Sequence, residues 1–212
     1  MARVGDIEID ALPEGEAREI YRRFAGDYGP FLNQVRVFAH RPPALRHIMG
    51  LLLELADEAL LPKRHLEIAL LAVSKLNQCA YCVAHHTPRL VEEGIEAEIA
   101  ERILEPDCPG LDPIERLVRD YAVQVTETPG RLRDAMFERL KVHFSEAQIV
   151  ELTLRIALCG FFNRFNDALR IDMEDGVIET LLAHGASPKA LPDPRADAAG
   201  KIPRGPASED EG

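Results

Sequence analysis

Tryptophan is missing altogether from these 212 residues, and basic residues are scarce beside acidic ones. Lys and Arg total 25 against 36 Asp and Glu, a formal net charge of −11. A chain of that sign repels phosphate backbones, so nucleic acid is not expected as a partner. Long uncharged apolar runs are also lacking. The stretch from Ile48 to Leu61 is broken by Glu54, Asp57 and Glu58, and Met1 to Asp10 has no apolar core of the kind a signal peptide carries. The expectation is a cytoplasmic protein with no membrane span. Four cysteines are too few for a disulfide framework in a chain of this length. No stretch shows sustained apolar/polar alternation between hairpin turns, which leaves an all-α fold class.

The length suits one sizeable core, and 46% hydrophobic with 29% charged residues is a globular balance. Residues 1–186 are expected as a single helical domain. Residues 187–212, proline-rich and ending in Ser-Glu-Asp-Glu-Gly, read as a disordered tail. Helices are expected over Glu14 to Phe24, over Phe31 to His40, from Pro43, and from Pro62 to about Leu76. Asn77 offers an N-cap for a further helix that would stop near Gly94. Asp112-Pro-Ile-Glu and Ser145-Glu-Ala-Gln are capping boxes. The helix opened by Ser145 is apolar nearly all round, at Ile149, Val150, Leu152, Leu154, Ile156, Leu158, Phe161 and Phe162. It is expected as either a central buried helix or an oligomer contact.

Chemistry concentrates in one segment. Cys79, Cys82 and His86 fall at i, i+3 and i+7, along one stripe of a helix. A dithiol at that spacing can close a disulfide within one turn, and unpaired N–H groups at a helix start acidify a thiol. His86, one turn after Cys82, can take or give the proton. Glu67 stands alone among Leu66, Ile68, Ala69, Leu70, Leu71, Ala72 and Val73. A carboxylate in such surroundings is expected to have a raised pKa and to serve as a base or relay. Zinc is the rival occupant, through Cys79, Cys82, His86 and either His85 or Glu67, although no second Cys or Cys/His pair is present to complete a structural site. A c-type haem is excluded because Val83 stands where Cys-X-X-Cys-His needs histidine. Cys108 and Cys159 read as a loop thiol and a small core residue. Asn163, Arg164, Asn166 and Asp167 read equally as a pocket lining or as capping and surface charge.

Glu67, Cys79-Ala-Tyr-Cys82 and His86 together resemble the active-site motif of the alkylhydroperoxidase AhpD-like proteins, within the carboxymuconolactone decarboxylase family. The stretches Phe144-Ser-Glu-Ala-Gln-Ile-Val-Glu-Leu-Thr and Phe162-Asn-Arg-Phe-Asn-Asp-Ala-Leu are similar to that family's C-terminal half. The resemblance implies an AhpD-like helical subunit assembling as a homotrimer or homohexamer. It implies a thiol-dependent peroxidase or disulfide reductase that needs no cofactor, with a hydroperoxide or disulfide as substrate and a lipoyl or thioredoxin-like dithiol protein as reductant. By position, Cys82 resembles the attacking thiol, Cys79 the resolving one, and His86 and Glu67 the proton relay. The best-known members carry histidine where this chain has Tyr81, and a phenol of pKa about 10 is no relay at neutral pH. A redox-sensing or metal-binding helical module is the alternative from another class. The family's lactone decarboxylase chemistry is a third, and it does not need the two cysteines.

Overall fold

The computed structural model describes residues 2–28 and 31–192, and among them every regular element is helical. An N-terminal group consists of α1 (Glu16–Arg23), α2 (Leu32–Phe38), the single turn α3 (Pro42–Ala44) and α4 (Gly50–Glu58). The central layer is α5 (Lys63–Leu76) and α6 (Ala80–Glu92), followed by the short α7 (Ala97–Glu101). The C-terminal part holds α8 (Pro113–Glu127), α9 (Asp134–His143), the long α10 (Glu146–Leu169) and α11 (Val177–Ala183). The Asp112 and Ser145 capping boxes both form, each side chain taking backbone N–H groups while Glu115 or Gln148 reaches back.

The expected helix from Pro43 is interrupted. After Pro42–Ala44 the backbone widens into a π turn, Leu45–Met49, before α4 begins. Further along, Asn77 does not cap α6. Its own N–H closes the end of α5 on the Val73 carbonyl, Gln78 turns through a left-handed conformation (φ 57°), and the Cys79 N–H reaches back to Ser74 O. That six-to-one bond is a Schellman closure in which Gln78 takes the place usually given to glycine. Cys79 itself becomes the N-cap of α6.

Helix α5 is the hub, packing on α6, α8 and α10. Its run Ile68 to Ser74 is wholly buried, which accounts for the all-round apolar character around Glu67. Two cores result. One is built on α5, α8, α9 and the first half of α10, with Leu71, Leu117, Tyr121, Leu140 and Leu152. The other joins the N-terminal helices to the end of α10, with Phe24, Phe31, Phe38, Met49 and Phe162, and it takes in Cys79, Tyr81 and Cys82. The first turn of α6 is therefore clamped between the two.

The expectation of a central buried helix holds for one face of α10. Ile149, Leu152, Ile156 and Phe162 are buried, whereas Val150, Leu154 and Phe161 lie exposed along the other face. Of the expected tail, residues 187–192 are described: Pro188–Ala190 forms a 3-10 turn, Ser187 N–H bonds Glu101 Oε1, and Leu191 packs against the first core. The remainder, 193–212, lies outside the described residues. Among the described residues no helix is long and apolar enough to cross a membrane.

Candidate active site

The dithiol sits at the N-terminus of α6 with both sulfurs buried and reduced. Cys79 Sγ lies 2.9 Å from Cys82 Sγ and donates to it, while the Cys82 N–H points back at Cys79 Sγ at 3.4 Å. Disulfide closure at about 2.05 Å asks for under about 1 Å of movement. The hydrogen bond to Cys82, burial, and the negative charges of Cys82 and Asp167 together push the Cys79 thiol far up. Cys79 is thus the member that keeps its proton.

Glu67, on α5, reaches across to α6, where Oε2 is 2.7 Å from His86 Nδ1 and Oε1 takes Arg89 Nε–H at 2.7 Å. Here the expectation of a raised carboxylate is corrected. Burial alone would raise Glu67, but the charge and hydrogen bonds of His86 and Arg89 outweigh it and lower the pKa to about 2. Arg89, one turn beyond His86, supplies the second partner. Glu67 is therefore a permanent carboxylate that fixes the Nδ1–H tautomer of His86 and leaves Nε2 as the exchangeable nitrogen. Burial lowers the pKa of His86, against the pull of Glu67, which favours the neutral ring. His86 and Cys82 border one small cavity of about 40 Å³, walled by Phe24, Phe31, Cys159 and Phe162, without hydrogen-bonding each other.

Three polar groups that carry no motif converge on the same turn. Asn166, on α10, donates from Nδ2 to Cys82 Sγ at 3.3 Å, and Gln34 on α2 donates to Asn166 Oδ1 at 2.9 Å. Glu174, beyond α10, accepts the Tyr81 hydroxyl and the Asn33 N–H at Oε1, each at 2.7 Å, and faces His85 Nε2 at 2.7 Å through Oε2. His85 Nδ1 in turn lies 2.6 Å from Tyr81 O. Both ring nitrogens of His85 thus face oxygen atoms, which pins the ring between its own helix and Glu174. Burial, and then the charge of Glu174, raise Tyr81 well above its ordinary value, so its phenol stays protonated. Tyr81→Phe is expected to remove one of three donors to Glu174 and cost about 1 kcal/mol in chemical denaturation, with the thiols unaffected.

The segments with other cysteines behave as core. Cys108, though on a loop, is fully buried, and Cys159 packs against Leu70 O and Ser74 Oγ. Among the described residues no cluster of three His, Cys, Asp or Glu side chains is placed to hold a metal ion.

Residues 42–124, which hold Glu67, Cys79, Cys82 and His86, match the model of the carboxymuconolactone decarboxylase family. The uncharacterized protein YdfG of Bacillus subtilis (strain 168) is 29% identical over 108 residues, 49% of this chain and 71% of YdfG. The fold is similar to that of the alkylhydroperoxidase AhpD core of an uncharacterized peroxidase-related protein from Ralstonia eutropha JMP134. That likeness has a TM-score of 0.68 at 24% identity, over 83% of this chain and 94% of the other. The debrominase Bmp8, in a cysteine-to-alanine variant holding 2,3,4-tribromopyrrole, shares the fold at 20% identity and a TM-score of 0.64, over 82% and 95%.

Proposed function

For a chain of the carboxymuconolactone decarboxylase family, in its AhpD-like branch, we propose a thiol-dependent peroxidase or disulfide reductase that works through Cys82 and Cys79. The observation that carries this reading is the 2.9 Å approach of the two sulfurs inside a site that also holds a Glu67–His86 pair. The asymmetry of the dithiol assigns the parts. Cys79 keeps its proton and donates it to the neighbouring sulfur, which leaves Cys82 as the attacking thiolate. His86 Nε2 takes the Cys82 proton, with Glu67 holding the ring.

The reaction balances without a cofactor. Cys82 thiolate attacks the distal oxygen of a hydroperoxide, the O–O bond breaks, and the alcohol or water leaves with the proton from His86. The Cys79 thiol then displaces hydroxide from the Cys82 sulfenic acid, giving the disulfide and water. A dithiol carrier of lipoyl or thioredoxin-like chemistry returns the pair to thiols by exchange. The exposed stripe Val150, Leu154 and Phe161 on α10 supports assembly with further copies as a homotrimer or homohexamer.

The test is single-turnover oxidation. Reduced protein mixed with one equivalent of hydroperoxide is expected to lose two thiols, with peptide mass spectrometry locating the loss of two hydrogens to a Cys79–Cys82 disulfide. Intact thiols after prolonged exposure would overturn the peroxidase reading. Lactone decarboxylation that survives removal of both cysteines would replace it with the family's other chemistry.

A further inference from the structure

The proton relay explains how Cys82 is deprotonated but not what keeps the resulting anion in place. Cys82 is 3% exposed, so a thiolate there has lost nearly all its water. A buried anion needs donors aimed at it, because a charge transferred from water without replacement partners is strongly disfavoured. Cys79 supplies one donor, but that proton is consumed when the disulfide forms. The other donor is Asn166 Nδ2–H, 3.3 Å from Cys82 Sγ.

Orientation is what gives this contact its meaning. An asparagine amide can present either a donor or an acceptor, and only the donor helps a thiolate. Gln34 decides between them. Its Nε2–H occupies Asn166 Oδ1 at 2.9 Å, so the carbonyl end is engaged and the N–H end faces sulfur. Both amides are buried, at 4% and 1% exposure, and they come from two different helices, α2 and α10. A two-amide wire with one polarity thus ends on the Cys82 sulfur.

We propose that Asn166 is a catalytic residue whose side-chain amide stabilises the Cys82 thiolate, and that Gln34 is the positioning residue that sets the amide's direction. The proposal rests on the reading of Cys82 as the attacking thiol. It places a functional group outside residues 42–124, on the part of the fold that the thiol motif does not reach.

Two near-isosteric variants test it. Asn166→Asp keeps the shape and replaces the N–H with a carboxylate oxygen. Gln34→Glu removes the donor to Oδ1 and offers an acceptor, which draws the Asn166 N–H away and turns its carbonyl toward sulfur. The readout is the pH dependence of iodoacetamide alkylation in the reduced full-length protein, with peptide mass spectrometry separating Cys82 from Cys79. Both variants are expected to move the Cys82 midpoint upward by one pH unit or more, and to slow peroxide-driven thiol loss at pH 7 by about tenfold. Asn166→Leu, which removes the same N–H without adding a charge, separates the lost donor from the added carboxylate. It is expected to raise the midpoint too, whereas a purely structural role would lower its melting temperature without moving the midpoint. Folded variants with unmoved midpoints and normal peroxide turnover would overturn the role of Asn166 and leave the peroxidase standing. Shifted midpoints in a protein that never reacts with peroxide would uphold the amide's hold on the thiolate and remove the peroxidase reading instead.

Discussion

Replacing Cys82 by serine is expected to abolish peroxide reduction, with a fall of roughly 10³-fold or more in the rate of thiol oxidation. The size of the effect follows from what remains. A serine hydroxyl is not ionised near neutral pH and forms no sulfenic acid, so the first bond-making step has no nucleophile. Cys79 is a poor substitute, because burial and the nearby Asp167, which remain when the Cys82 sulfur is gone, still favour its protonated form. The reciprocal change has a different signature. Cys79→Ser leaves the attacking thiol, its relay and the Asn166 contact in place, so one thiol is expected to be lost per peroxide and a Cys82 sulfenic acid to accumulate. Trapping that acid with dimedone, followed by peptide mass spectrometry, reads the two variants side by side. Peroxide consumption at the wild-type rate in Cys82→Ser would show that the attacking group lies elsewhere.

The parts of the molecule that were legible from sequence are those governed by short spacing. Asp112 and Ser145 announce their helices because a cap acts over three residues, and the Cys79, Cys82 and His86 stripe follows from the helical period. The site's other half depends on contacts that spacing does not encode. Asn166 reaches Cys82 across 84 positions and Gln34 reaches Asn166 across 132. Glu67 shows the same limit in energetic form. Its apolar neighbours in sequence predict a raised carboxylate, and they do bury it, but the His86 and Arg89 side chains that reverse the shift stand 19 and 22 residues later on another helix. Arg89 does follow His86 by three residues on one face of α6, and that spacing was the available signal. The cap on α6 was misplaced for a local reason. Asn77 is the better capping residue by propensity, yet the Schellman closure through Gln78 carries the chain two residues further before α6 begins.

The same pairing makes removal of the Glu67 side chain costly to stability. Glu67→Ala leaves the Arg89 guanidinium and His86 in a buried site without their shared acceptor, and is expected to destabilise the fold by about 3–5 kcal/mol. Glu67→Gln separates charge from shape, since it retains a carbonyl oxygen for one donor but not the negative charge. The pH dependence carries the sign. A carboxylate whose folded pKa is lowered from 4.5 to about 2 contributes its full stabilisation above 4.5 and loses it as pH falls toward 2. That window is worth about 3 kcal/mol in the wild type and is absent from Glu67→Gln. Urea denaturation at pH 7, 4 and 2.5 should therefore show the two proteins furthest apart at pH 7 and converging in acid. A gap that stays constant across the three values would mean that Glu67 contributes packing alone. In the peroxide assay, Glu67→Ala is expected to be slower by roughly 10²-fold or more, because His86 then loses the acceptor that fixes which nitrogen carries the proton.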